Sequence, residues 1–211
     1  MAARRALSDL CEAYWTPVYT FIRQHTAADH DAEDLTQAFF TQLLDRPFLH
    51  TAEPAKGRFR SFLLGAVRHF LSNERNKVRT IKRGGQSRTV SLTDIDCVAE
   101  GRPTAEQLFE RQWAVTLLTR VLDRLETEQS TAGRGEQFEV LRGFLDNSYR
   151  APDYAEAASR LGLSNDAVRV SVHRLRRRYR ILLREEISLT TAAGDDVDDE
   201  LKSLFQAVRR F

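Results

Sequence analysis

The chain has 211 residues, 42% hydrophobic and 29% charged, with a net charge of +2, which is enough apolar material for one large or two small domains. Cys11 and Cys97 stand far apart without metal-ligand spacing, so no disulfide framework or zinc site can be read, and a reduced protein is expected. No apolar run approaches the ~20 residues that span a bilayer and MAARRALSDL lacks a signal-peptide core, so the expected location is cytoplasmic, with no membrane partner.

The small net charge hides a segregation. Basic residues crowd into 56–88 and 169–184, and acids into 29–45 and 195–200, which points to different partners for different faces.

In chain order, Leu7, Leu10, Cys11, Tyr14, Trp15, Val18, Phe21 and Ile22 keep helical spacing. Pro17 lacks a donor and predicts two segments joined at Thr16–Pro17. A second helix, DAEDLTQAFFTQLLD, begins at 29–31 with acids that suit a helix N-terminus. Its core face is Leu35, Phe39, Phe40 and Leu43, leaving Asp34, Gln37, Ala38 and Thr41 on an acidic to polar outer face. From composition alone, that face is read as acids complementing the dipole on a solvated surface.

After a loop with Pro47 and Pro54 comes KGRFRSFLLGAVRHFLSNERNKVRTIKRGG. Phe59, Phe62, Leu63, Ala66, Val67, Phe70 and Leu71 predict a strongly amphipathic helix, and Arg68, Ser72, Arg75, Asn76 and Arg79 fall on one outward stripe, continued by Lys77, Lys82 and Arg83. Between Lys56 and Arg88 there are ten Lys/Arg against one acid, Glu74. A phosphate backbone suits that density, because neutralised phosphates release condensed counterions. An anionic membrane suits it less, since the apolar face has the character of a core rather than of an exposed aromatic edge.

The polar, glycine-broken segment that follows reads as an interdomain linker. Helices over 104–126 and 135–145, separated by the loop TEQSTAGRG, are expected to form a scaffold for DYAEAASRLGLSNDAVRVSVHRLRRRYRILLREEI. That stretch has the pattern of a helix-turn-helix: a first helix over 153–161, a left-handed stop at Gly162, and a cap from Ser164 or Asn165. In the second helix Val168, Val172, Leu175, Tyr179 and Leu182 make the inner stripe, with Ala155, Ala158 and Leu161 packing beneath. Asp166, Val170, His173, Arg174 and Arg177 face outward, flanked by Arg169, Arg176, Arg178, Arg180 and Arg184. An arginine-rich helix on its own is often a solvated face. Joined to a capped turn and a short preceding helix, it suits the DNA major groove.

The last stretch, GDDVDDELKSLFQAVRRF, begins acidic. It places Val197, Leu201, Leu204, Phe205 and Val208 at helical spacing, a stripe that needs cover. Folding back to restrain DNA binding and simply completing a core are both open for it. No glycine-rich phosphate loop, metal-ligand set or nucleophile constellation appears, so no enzyme, cofactor, catalytic residue or metal is assigned, and the scattered histidines read as surface residues.

Taken in order, DAEDLTQ, GRFRSFLL…NERNK and LGLSNDAVRVSVHRLRRRYR resemble the bacterial sigma-70 superfamily, and within it the extracytoplasmic-function (ECF) sigma factors, over about residues 7–187. The family's leucine-proline step before the fourth-domain helices is replaced by LETEQSTAGRGEQF, and a short extension follows Ile187. The resemblance implies an all-α fold: a sigma region 2 bundle over 1–83, a flexible linker over 84–103, a sigma region 4 helix-turn-helix domain over 104–187 and a C-terminal extension over 188–211. It implies that Asp34, Gln37 and Thr41 dock on the β′ clamp helices of core RNA polymerase, with the β flap as a second contact. It assigns the −10 element to Lys56, Arg58, Arg60, Arg68, Ser72, Arg75, Asn76, Arg79, Lys82 and Arg83. The −35 element falls to Ser164, Asn165, Arg169, Val170, His173, Arg174 and Arg177. The implied partners are core polymerase, promoter DNA and an anti-sigma protein. The expected function is recruitment of polymerase to specific promoters. The alternatives are a helix-turn-helix regulator that acts without polymerase and, more remotely, a nucleic-acid enzyme.

Overall fold

The structure, a computed structural model, describes residues 2–45, 58–81, 102–145, 153–189, 191 and 197–209. Residues 84–101 of the linker expected over 84–103 lie outside the described residues, as do the proline loop and the side chains of Leu7 and Leu10. Among the described residues every regular element is helical and there is no strand, which bears out the all-α expectation. The chain forms two compact units, 1–116 with 188–211, and 117–187. The first unit therefore takes in two stretches, 104–116 and 188–211, that the sequence reading had set apart from it.

In the first unit, α1 (Ala2–Arg23) is one helix, so the expected break at Pro17 does not occur. An interior proline costs ~3 kcal/mol. Tyr14, Val18, Phe21 and Ile22 are all nearly inaccessible on the same stripe as the buried Pro17, and burying such side chains contributes about 1.5–3 kcal/mol each, which outweighs that loss. Helix α2 (Asp29–Asp45) starts with Asp29 and Asp31 in its first turn, as its dipole favours, and Asp29 is held by Arg23. Leu35, Phe39, Phe40 and Leu43 are buried as expected, joined by Ala32 and Thr36. The Thr36 hydroxyl is satisfied by donating to the Ala32 carbonyl at 2.7 Å. Helix α3 (Phe59–Ile81) buries Leu63, Val67, Phe70 and Leu71. Edge-to-face ring contacts tie Phe39 to Phe70 at 5.6 Å and Phe21 to Phe109 at 6.4 Å.

Phe109 belongs to α4 (Ala105–Thr131), which begins in the first unit and ends in the second. Its start is a reciprocal capping box. The Thr104 hydroxyl accepts from the Gln107 N–H at 3.2 Å, and the Gln107 side chain accepts from the Thr104 N–H at 2.9 Å. The helix runs through most of the expected loop TEQSTAGRG. Thr127 and Thr131 return their hydroxyls to carbonyls one turn back, and the chain turns only at Gly133, with φ of 70°.

The second unit continues with α5 (Gly135–Leu141), a 3₁₀ turn (Arg142–Phe144), α6 (Tyr154–Leu161) and α7 (Asn165–Ser188). Its core joins Val121, Leu125, Phe138, Leu141 and Phe144 to Val168, Val172, Leu175, Leu182, Leu183 and Ile187. Tyr179 is half-buried on that stripe, and burial pushes its phenol up to about 12. Beneath the turn it is Ala157 and Ala158 that are buried, with Leu161 half-buried, whereas Ala155 is exposed. With Asp153 as the cap, the inward stripe falls on 157, 158 and 161.

The last helix, α8 (Val197–Arg209), is part of the first unit. Its expected apolar stripe is rotated: Leu204 and Ala207 are buried, while Phe205 and Val208 remain 47% and 39% exposed. The third buried position is a carboxylate, Glu200, at 3% exposure.

Candidate nucleic-acid interface

The turn between α6 and α7 is fixed by local hydrogen bonds. The Asp153 carboxylate accepts from the Ala155 N–H at 2.8 Å, which satisfies a donor at the start of α6. Gly162, at φ 65° and ψ 31°, takes the left-handed cap, and the Leu163 N–H returns to the Ala158 carbonyl at 3.0 Å. Of the two candidate caps for α7 it is Ser164 that serves, its hydroxyl accepting from the Ala167 N–H at 3.2 Å, while Asn165 is the first helical residue.

This arrangement holds α7 with its valine and leucine stripe inward and with Ser164, Asn165, Arg169, Val170, His173, Arg174 and Arg177 exposed. Val170, 49% exposed, is an apolar side chain set among cations, which suits a thymine methyl. Arg169 lies over the Tyr154 ring of α6 at 5.7 Å and 3.9 Å from Asp166 on its own helix.

Two of the flanking arginines, the exposed Arg176 and the half-buried Arg178, are taken up by partners within the unit. Arg176 donates twice to the Phe144 carbonyl, at 3.1 and 2.9 Å, which satisfies the end of the 3₁₀ turn. Arg178 makes a fork-to-fork pair with Glu128 of α4 at 2.8 and 2.7 Å. The Arg178 hydrogen bonds hold the Glu128 carboxyl below the usual range, with the charges of Arg178 and Arg124 adding and desolvation opposing. Arg124 reaches Glu185 at 2.6 Å and Arg120 reaches Glu186 at 3.3 Å, so ion pairs in both directions between α4 and α7 brace α7. Sequence periodicity places Arg176 and Arg178 beside the outward face, but it does not reveal the carbonyl and carboxylate that capture them.

On α3, Arg68, Ser72 and Asn76 are exposed and Arg75 is half-buried. Lys56, Lys82 and Arg83 lie outside the described residues, as does the side chain of Arg79. Arg68 pairs with Glu106 at the start of α4. Burial pushes the Glu106 carboxyl up, but hydrogen bonds from Arg68, its own N–H and Thr104, together with the Arg68 charge, bring it net below the usual range.

Arg58 and Arg60 do not join the exposed stripe. Arg60, 6% exposed, donates to both oxygens of Glu200 at 2.7 and 3.2 Å and to Glu110 at 3.2 Å, and lies over the Trp113 ring at 4.6 Å. Arg58, half-buried, pairs with Glu200 at 2.9 Å and donates to the Ser203 hydroxyl at 2.9 Å. The acidic start of α8 was the only sequence signal for this cluster, and it did not single out Glu200.

On α2, Asp34, Gln37, Ala38 and Thr41 are all exposed, opposite the buried Leu35 and Phe39. The Thr41 hydroxyl donates to the Gln37 carbonyl at 2.9 Å. Next to this helix Trp15, 39% exposed, stacks on Phe40 at 5.4 Å.

Among the described residues no group of three or more His, Cys, Asp or Glu could hold a metal ion, and no helix is long and apolar enough to cross a membrane. Comparison with protein-family models finds no match, and neither curated proteins nor solved structures give a significant one.

Proposed function

We propose that this chain is a promoter-specificity subunit of the ECF sigma type, which recruits core RNA polymerase to specific promoters and carries no catalytic site of its own. The observation that carries this reading is the capped helix-turn-helix, in which every residue assigned to the −35 element is exposed on one stretch of chain, 164–177. The inward stripe anchors α7 in its unit, and the outer face offers guanidinium forks at Arg169, Arg174 and Arg177 to base edges and phosphates. The reading divides the chain's work between its units: α7 reads −35, and the exposed part of α3, with Arg68, Ser72 and Asn76, takes phosphates and bases at −10.

A regulator that binds duplex DNA without polymerase would use the same α7. The polymerase-dependent reading is preferred because the first unit also exposes Asp34, Gln37 and Thr41 on one face of α2, an acidic to polar surface whose charge does not suit DNA phosphates. On this reading that face meets the β′ clamp helices, the β flap takes the second unit, an anti-sigma protein can compete for either surface, and the protein works in the cytoplasm.

Base reading at −35 is tested by Arg174→Ala. A bidentate arginine contact to guanine discriminates by about 1–3 kcal/mol, so the variant is expected to lose preference at one base pair of the −35 site while keeping it elsewhere. Binding measured across single-base promoter variants checks this. Uniform weakening across all variants would make Arg174 a phosphate contact instead.

A further inference from the structure

We infer that α8 is a built-in competitor for DNA: Glu200 occupies the guanidinium groups of Arg58 and Arg60, so that nucleic-acid phosphates must displace it. This inference rests on the proposed sigma function, which gives those two arginines to the −10 region.

The geometry is that of a phosphate mimic. A carboxylate and a phosphodiester both offer paired acceptor oxygens to an arginine fork, and the two oxygens of Glu200 take the fork of Arg60 while Arg58 approaches the same group. Packing alone does not account for Glu200. It holds one of the inward positions of α8, where a leucine would complete the stripe with Leu204 and Ala207, while Phe205 and Val208 stay exposed. A buried ion pair is on average no more stabilising than well-packed apolar residues of the same volume, so stability does not explain a charge there. The two arginines also differ in how firmly they are held. Arg60 keeps Glu110 and the Trp113 ring in addition to Glu200, whereas Arg58, with a side chain 34% exposed, has Glu200 and Ser203 of α8 as its partners. Arg58 is therefore the cation that DNA can recover first.

The test uses the full chain, mixed-sequence DNA as the probe, and binding followed over a range of salt concentrations. Glu200→Gln keeps the shape and removes the charge. It is expected to bind DNA more tightly, with the slope of log affinity against log salt steepened by roughly 0.9, the value of one added phosphate contact. Adding Arg58→Ala to Glu200→Gln should return the slope to that of the parent. Arg60→Met with Glu200→Leu fills the buried volume without charge and leaves Arg58 without the Glu200 carboxylate, so it should steepen the slope likewise, and it decides the matter if Glu200→Gln melts. A folded Glu200→Gln chain with the parent's affinity and slope would overturn the inference, as would a folded Arg60→Met, Glu200→Leu chain with the parent's slope. Either result, with the parent still binding DNA, leaves the sigma reading standing. If parent and Glu200→Gln both stay folded and neither binds DNA at low salt, the sigma reading falls and the inference with it.

Discussion

Exchanging Asp34 and Gln37 for lysine is expected to abolish association with core RNA polymerase while leaving helix content and melting unchanged. Both side chains are exposed on α2, and the residues that hold that helix in its unit, Leu35, Phe39, Phe40 and Leu43, point the other way. Surface exchanges away from caps, cores and networks usually shift stability by no more than ~0.5 kcal/mol, so loss of fold is not expected to confound the result. The exchange inverts the sign of the face, and like charges brought together at an interface cost several kcal/mol, enough to remove a complex rather than weaken it. Co-purification of the variant with core polymerase checks this directly. Undiminished association would remove α2 from the docking surface.

The largest loss of stability is expected from Arg60→Ala. Arg60 and Glu200 are both almost fully buried, and their pair is completed by Glu110 and the Trp113 ring. Removing one partner of a buried ion pair typically costs 3–5 kcal/mol, because the other charge is left desolvated. Arg58 still reaches Glu200 at 2.9 Å, which puts the expected cost near the lower end, about 3 kcal/mol. Denaturant unfolding measures it, and the joint exchange Arg60→Met with Glu200→Leu should recover most of the loss by filling the same volume without charge. A cost below ~1 kcal/mol for the alanine variant would mean that the pair is solvated in the folded protein.

These two expectations differ in how far the sequence already supports them. The outward face of α2 follows from period alone, since Leu35, Phe39 and Leu43 fix which side is buried. The two capped helices α6 and α7 and the turn between them were equally legible, because Asp153, Gly162 and Ser164 each do locally what their residue type favours. Pro17 misled for the opposite reason: a local propensity was overridden by the burial of Tyr14, Val18, Phe21 and Ile22, which only the packed unit reveals. Thr127 and Thr131 likewise suggested a loop, yet both are satisfied within the helix by back-bonding to a carbonyl.

The charges were the least legible feature. Counting cations over 56–88 and 169–184 gives a density but no direction, and the structure divides those arginines by partner. Arg169, Arg174 and Arg177 stay exposed, Arg176 and Arg178 brace α7, and Arg58 and Arg60 meet Glu200, some 140 residues away along the chain. Ion pairs of such separation have no periodic signature, so Glu106, Glu110, Glu128 and Glu200 could not be read as partners in advance.

The most direct test is transcription in vitro from purified core RNA polymerase and this chain on a pool of promoter fragments. The account predicts transcripts that start from a restricted set of promoters only when chain and core are both present, and that disappear with the Asp34→Lys, Gln37→Lys chain. A folded chain that binds DNA yet yields no promoter-specific transcript with an active core enzyme would contradict it.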